Sequence, residues 1–500
     1  MRSATAVPAR EQPTSRIALQ LLAIVVGLTL VRLAFLAAEP YPLDPDEAQY
    51  WSYGEALAAG YYSKPPLTAW LIAASTSLFG DTAFGVRFAS PVLHALIAML
   101  LFLIGRRLFN PTVGFWPALA WLTLPGVSVS AGLMTTDPPM RLCWAAALYL
   151  LILLIERPTL IRWAGFGGVI GLGLLAKYTM IAFPLSLALF LLFNPRERAR
   201  FSLAGGAVAL GAALVVVAPN LAWNAQHEFA TLRHVGDNAS LGGDLLRPDR
   251  LAEFVGAQFG VFGPVLFGVL LVVLTRWRRL GAEPRWNLLL WMAATLLAII
   301  TLQSLLSRAH ANWAAPSYLA GAILVSAWLL QSCRLGWLKA GVGINLAFAL
   351  AWPAYLMLIA LQAPAWPSSL DPLAKARAAP ELGAEIQAIR AAWPGEPPQV
   401  LFDHRRLMAT SLFYGGLDLT DTYMWTAGAE PGNHYALVRD LEADPPAGPL
   451  LYVTGQADPA SVMAVFQHAE PLGEIEIATH PDRRFQYFFF RLDGFRGYPG

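Results

Sequence analysis

The sequence predicts a polytopic α-helical membrane protein that ends in a soluble α/β domain. Three observations carry this reading. The 500 residues are 56% hydrophobic and only 14% charged, where a soluble domain carries about a quarter charged residues. Apolar runs of about 20 residues, the length that crosses a bilayer core, recur between residues 17 and 361. Beyond residue 361 the apolar runs shorten to strand length, while Pro, Gly and charge rise.

The stretch up to Arg16 is polar, with Arg2, Arg10 and Arg16. The run from Ile17 to Ala38 is too long for the hydrophobic region of a cleaved signal. It reads as a first span that also directs export. Spans are expected at 17–37, 85–105, 112–131, 138–155, 162–176, 179–193, 201–218, 254–275, 286–303, 312–331 and 339–361, about eleven in all. Those at 162–176 and 179–193 are short and read as broken or tilted. Residues 66–79 are apolar but too short to cross, and 47–59 has a helical pattern with Trp51, Leu57 and Ala58 available to lipid or protein. Both are expected as interfacial helices of the first outer loop. The chain thus divides into a membrane unit, 1–361, and a soluble unit, 362–500. The latter has strand-like runs at 449–453 and 485–491 and helical patterns at 380–392 and 433–442. Cys143 and Cys333 make no disulfide framework and read as packing residues. A net charge of +2 without a basic stripe argues against a nucleic-acid partner.

Basic residues fix the sidedness, because cytoplasmic loops are enriched in Arg and Lys. With the N-terminus inside, Arg106, Arg107, Arg157, Arg162, Arg196, Arg198, Arg200, Arg276, Arg278, Arg279, Arg285, Arg334 and Lys339 fall on the cytoplasmic side. Most acids fall on the other, and the soluble unit lies there too.

The polar motifs gather on that outer face. The first loop holds Asp44-Pro45-Asp46-Glu47, with Tyr50 and Trp51, then Tyr61-Tyr62-Ser63-Lys64-Pro65-Pro66. Thr135-Thr136-Asp137-Pro138-Pro139 follows, with Arg141 one helical turn on, and then Ala176-Lys177-Tyr178. The loop 219–253 adds Asn220, Trp223, Asn224, His227, Glu228, Arg233 and His234; the next turn adds Arg308, His310, Asn312 and Trp313. Plain readings exist for several of these. Asp137 has the place of a helix N-cap. Lys177, Arg308 and Arg87 have the look of snorkelling interfacial cations. Trp51 and Trp313 suit an interfacial belt, and His94 reads as a packing histidine. The Asp-x-Asp-Glu cluster resists such a reading, because three acids in four positions repel one another and offer no packing benefit.

A carboxylate beside an acceptor hydroxyl acts as a general base. Cations at the membrane surface hold a phosphate and stabilise it as a leaving group. A lipid-phosphate sugar suits both, and the absence of a Gly-rich phosphate loop fits a donor without a nucleotide. A transporter of lipid-linked sugars is the rival from another class. It would show charges at mid-bilayer and paired repeats, and the sequence has neither. A non-catalytic scaffold, with residues 362–500 binding a partner, is the second rival.

Together the Asp46-Glu47 pair, the Tyr-Ser-Lys-Pro-Pro-Leu-x-Ala-Trp segment, Thr-x-Asp-x-Pro and Ala-Lys-Tyr-Thr resemble the bacterial polyprenyl-phosphate-sugar glycosyltransferases of the GT-C superfamily. Protein O-mannosyltransferases and lipid A aminoarabinose transferases are relatives. The resemblance spans roughly residues 17–330. It implies an inverting transferase of the bacterial inner membrane, working at the periplasmic face. Its donor would be an undecaprenyl-phosphate sugar. Its acceptor would be lipid A or the lipopolysaccharide core, with a protein hydroxyl or another envelope glycan as alternatives. The catalytic acids would be Asp46, Glu47 and Asp137. Lys64, Lys177 and Arg308 would contact the donor phosphate, and Tyr50, Tyr62, His310 and Asn312 would contact substrate. Any divalent metal would sit on Asp46, Glu47 and Asp137. Ser63, where the aminoarabinose transferases carry an acid, argues against that metal and against aminoarabinose as the sugar. Gln49 also departs, standing where those relatives have a basic residue.

Overall fold

The computed structural model describes residues 14–38, 41–231, 246–427 and 430–498. Among these, six helices are long and apolar enough to cross a membrane: Thr14–Ala38, Ala83–Leu108, Asp137–Glu156, Leu203–Gln226, Pro284–Leu306 and Leu335–Ala365. The bent pair Pro248–Phe262 and Pro264–Thr275 adds a seventh if taken as one span. Shorter apolar helices, Leu67–Phe79, Leu160–Ala176, Tyr178–Phe193 and Ser317–Gln331, complete the bundle. The last is buried almost all round, as a helix at the centre of a bundle must be.

Prolines divide two of the expected continuous runs. The stretch 112–131 becomes Pro111–Thr123 and Pro125–Ser130. Pro125 lacks an N–H for the helix ladder and forces Leu124 into an extended conformation, with ψ 135°. The stretch 254–275 bends by 115° between Phe262 and Pro264. Gly263 sits at the bend with φ +86°, a region costly to residues with a Cβ. Asn220 and Asn224, expected in a loop, belong instead to the long helix Leu203–Gln226. Arg233 and His234 lie outside the described residues.

In the first loop, the helix Pro45–Glu55 starts in a capping box. The Asp44 carboxylate accepts from the Asp46 N–H at 2.9 Å, and the Glu47 carboxylate accepts from the Asp44 N–H at 3.0 Å. Residues Glu47 to Gly54 are all buried. Trp51 faces protein, donating to Asp81 Oδ1 at 2.7 Å and meeting the Phe413 ring edge-on at 4.9 Å.

The C-terminal part is a five-stranded mixed sheet of β1 (Gln399–Phe402), β2 (Thr422–Met424), β3 (Leu450–Thr454), β4 (Phe466–His480) and β5 (Arg483–Phe495), in the order β2-β1-β3-β5-β4. β1 runs parallel to β2 and β3, and β5 runs antiparallel to β3 and β4. The helices Ala379–Ala391 and Arg405–Tyr414 pack on it. The helical pattern at 433–442 shortens to His434–Val438. One core joins this sheet to the first loop: Tyr50, Trp51, Tyr53 and Tyr61 pack with Phe402, Met408, Leu412 and Val453. Leu43 N donates to Tyr414 Oη at 2.6 Å, and Ser52 Oγ bonds Tyr435 Oη at 2.8 Å. Cys143 is buried as expected, but Cys333 is exposed with φ +52°, at a chain reversal rather than in a core.

A Cβ on Gly263 would meet Asn345 Oδ1 at 2.1 Å and add backbone strain of about 1–2 kcal/mol. Gly263→Ala should therefore lower the thermal midpoint of the detergent-solubilised protein by several degrees. An unchanged midpoint would mean that the bend does not need glycine.

Candidate active site

Glu47 is the most constrained of the acids. Its side chain is 1% exposed and faces the equally buried Arg87, with Arg87 Nη2 donating to Oε2 at 2.7 Å and Nε donating to Oε1 at 3.0 Å. The Met134 N–H donates to Oε1 at 2.9 Å, so the pair ties together the first loop, the span after it and the turn before Asp137. Arg87 also donates to the Pro42 carbonyl at 3.0 Å. The snorkelling reading of Arg87 is corrected: no part of it reaches the surface, because its charge is satisfied inside.

Asp46, one residue earlier, points the other way. Its side chain is half exposed and accepts from Arg405 Nη1 at 3.1 Å. Arg405 also donates to Gln49 Oε1, so a cation from the sheet domain binds both Asp46 and Gln49 on one helix. Burial, together with the Glu47 and Asp46 charges, raises the Asp44 carboxyl above the usual range.

Asp137 is the first residue of its helix, and the N-cap position falls to Thr136. The N-cap reading is thus replaced by another role. Lys177 Nζ donates to Oδ1 at 2.7 Å, while Arg141 Nη2 and Asn312 Nδ2 donate to Oδ2 at 3.1 and 2.6 Å. Lys177 therefore has a partner and is not a lone snorkelling cation.

Lys64 is held by a backbone bridge, Tyr61 N to Lys64 O at 3.1 Å and Lys64 N to Tyr61 O at 3.3 Å. Burial lowers the Lys64 pKa, and the nearby Lys177 charge lowers it further, against the pull of Asp46 and Asp137. Lys64 thus lies within electrostatic reach of both acids and the second lysine. Tyr50 is buried, which raises its hydroxyl pKa, and it also feels Asp46 and Asp137. Tyr62 is half-buried in the Lys64 turn. Arg308 and His310 line a neighbouring cavity of about 460 Å³ with Arg250 and Glu253; Arg308 makes no contact with either acid. His310 also lines the cavity that ends on Asp137, and burial, with the Arg308 and Lys177 charges, lowers its pKa.

Among the described residues the three acids do not converge on one point. Glu47 pairs with Arg87, Asp46 with Arg405, and Asp137 with Lys177 and Arg141, and no three His, Cys, Asp or Glu side chains among the described residues converge on a metal-sized site.

Two separate cavities reach these groups, one at Asp137 and one at Asp46. One, of about 480 Å³, is walled by Trp121, Leu124, Val261, Tyr318 and Phe348 and ends on Asp137, Arg141 and Asn312. The other, of about 760 Å³, is polar and lies between Asp46 and the sheet domain. An apolar slot ending on charged groups suits a lipid with an anionic head.

Residues 63–223 match the dolichyl-phosphate-mannose-protein mannosyltransferase family. The chain is 35% identical over 333 residues to lipid A galacturonosyltransferase RgtD of Rhizobium johnstonii, covering 66% of this chain and 70% of that one. The chain belongs to the GT-C glycosyltransferases. An undecaprenyl phosphate-α-4-amino-4-deoxy-L-arabinose arabinosyl transferase of Pseudomonas fluorescens is 31% identical over 191 residues, 34% of this chain and 33% of that one. ArnT from Cupriavidus metallidurans, solved with undecaprenyl phosphate, shares the GT-C fold with a TM-score of 0.66 at 17% identity, covering 96% of this chain and 98% of that one. This GT-C chain is a multi-span membrane glycosyltransferase of a bacterial family.

Sequence reasoning missed Arg405 and the Glu47–Arg87 pair. A signal for Arg405 existed: the helix Arg405–Tyr414 opens with two arginines and no acid in its first turn, against the helix dipole. Such local conflicts mark functional positions. Breaking a buried pair costs about 3–5 kcal/mol. Arg87→Met should thus lower the thermal midpoint sharply, and adding Glu47→Gln should restore part of it. A single variant as stable as wild type would contradict the anchor role.

Proposed function

We propose that the protein transfers a sugar from undecaprenyl phosphate to lipid A or the lipopolysaccharide core at the periplasmic face of the inner membrane. The observation that carries this is an apolar slot that ends on Asp137, whose carboxylate holds Lys177 at 2.7 Å, with a second, more polar cavity lined by Asp46. The relatives named for lipid A and for undecaprenyl phosphate support the acceptor and the donor. The basic residues of the opposite loops support the orientation.

The polyprenyl tail would lie along Leu124, Val261 and Phe348. Its phosphate would meet Lys64 and Lys177, which offset the charge that grows as the bond to the sugar breaks. Asp46, half exposed and oriented by Arg405, would take the proton of the attacking hydroxyl. A single displacement on the face opposite the phosphate inverts the anomeric centre. Asp137, with both oxygens engaged, positions Lys177 and Asn312. Glu47 positions Asp46 through the helix they share. The membrane unit, 1–361, supplies donor and cations, and the unit 362–500 covers the site.

Asp46→Asn should abolish transfer in proteoliposomes, read by mass spectrometry of the lipid A product, while the thermal midpoint stays near wild type. Substantial residual transfer would remove Asp46 as the base. Lys64 binds phosphate only as the ammonium ion, below its pKa. Because burial lowers that pKa, the apparent donor KM should begin to rise at a pH below the ordinary lysine range of about 10.4. Lys64→Arg should push that rise to higher pH, since a guanidinium keeps its proton. A donor KM that is flat with pH in wild type would contradict the role of Lys64.

A further inference from the structure

The polar cavity of about 760 Å³ carries chemistry that the transfer step does not use. Asp46 is on its membrane side. Lys375, Arg406 and Arg483 line the sheet-domain side, with Phe485 and Tyr487. The two-residue period of β5 puts Arg483, Phe485 and Tyr487 on one face. The Phe485 and Tyr487 rings lie parallel, with an interplanar angle of 3°, and the Arg483 guanidinium lies 5.3 Å from the Phe485 ring centroid.

The acids in the same wall are already committed. Asp403 Oδ2 accepts from Thr454 at 2.6 Å and Tyr452 at 2.9 Å. Asp371 is buried between Arg377, at 2.7 Å, and His480, at 3.2 Å. Asp44 caps its helix. By contrast, Lys375, Arg406 and Arg483 make no salt bridge among the described residues. Three cations without an acidic partner among the described residues, Arg483 lying over the Phe485 ring, and an aromatic shelf, lining the same cavity as the exposed acid of the site, form a receptor for something both anionic and ring-shaped.

We infer that this cavity receives the acceptor as an anionic saccharide headgroup. Its phosphate or carboxylate groups would lie on Lys375, Arg406 and Arg483, and a sugar face would lie against Phe485 and Tyr487, so that a hydroxyl reaches Asp46. The inference rests on the transfer reading and adds to it the recognised chemistry of the acceptor. The sheet domain is then the acceptor reader and the membrane unit the donor reader.

The test measures binding to the full-length protein in lipid nanodiscs, with no donor present. Three probes are used: phosphorylated lipid A, dephosphorylated lipid A, and dephosphorylated lipid A bearing a carboxylate core sugar. Wild type should hold at least one anionic probe about tenfold or more tighter than the neutral one. Whichever anionic probe is preferred identifies the recognised group, phosphate or carboxylate. Combining Lys375→Ala, Arg406→Ala and Arg483→Ala should erase the preference, and Arg406→Lys alone should keep most of it. Arg484→Ala, on the opposite face of the same strand and paired with Glu476, should leave it intact. A wild type without preference, or a triple variant that keeps it with an unchanged thermal midpoint, would overturn the inference. Sugar transfer is scored separately. Binding that follows these expectations without any transfer would contradict the catalytic reading and leave this one standing.

Discussion

The buried pair of Glu47 and Arg87 is the constraint on which the site depends. Two charges are withdrawn from solvent 40 residues apart in sequence, at a desolvation cost that only close geometry and further hydrogen bonds offset. Those bonds are present: Glu47 also accepts from Asp44 N and Met134 N, and Arg87 also donates to the Pro42 carbonyl. The result fixes the first turn of the helix Pro45–Glu55 against the span that carries Arg87. Asp46 is then set outward, because its neighbour is locked inward. The turn through Met134 that leads to Asp137 is tied to the same carboxylate.

From that anchor the rest follows by packing. The helix Pro45–Glu55 is buried on both sides, by Leu67–Phe79 and the bundle on one and by the sheet domain on the other. Its position determines where Arg405 meets Asp46. On the membrane side, Asp137 holds Lys177 and Asn312 at the end of the apolar slot. On the proposed reading, the donor lipid would enter by the apolar slot and the acceptor headgroup by the cavity beside Asp46.

Much of the fold was legible in the sequence because bilayer physics is blunt: apolar length is read directly. Asp137 and Lys177, singled out in the sequence because charges beside long apolar runs demand a reason, are in direct contact in the structure. Breaks were harder to read. The run 254–275 looks continuous until the φ of Gly263 and the missing N–H of Pro264 act together. Contacts between distant residues were not legible at all. Nothing local to Arg87 distinguishes it from a snorkelling cation, and Arg405 lies 359 residues from its partner Asp46. Asp137 shows the same limit in reverse: its sequence context suits a cap, and only the convergence of Lys177, Arg141 and Asn312 gives its carboxylate another use.

The central claim is that a lipid phosphate is gripped by Lys64 and Lys177 beside Asp137 and Asp46. Determining the structure of this protein with undecaprenyl phosphate bound tests it most directly. The account predicts the phosphate within hydrogen-bonding distance of both lysine Nζ atoms, with the tail running past Leu124, Val261 and Phe348. A phosphate held instead by Arg250 and Arg308, or a tail lying outside that slot, would contradict it.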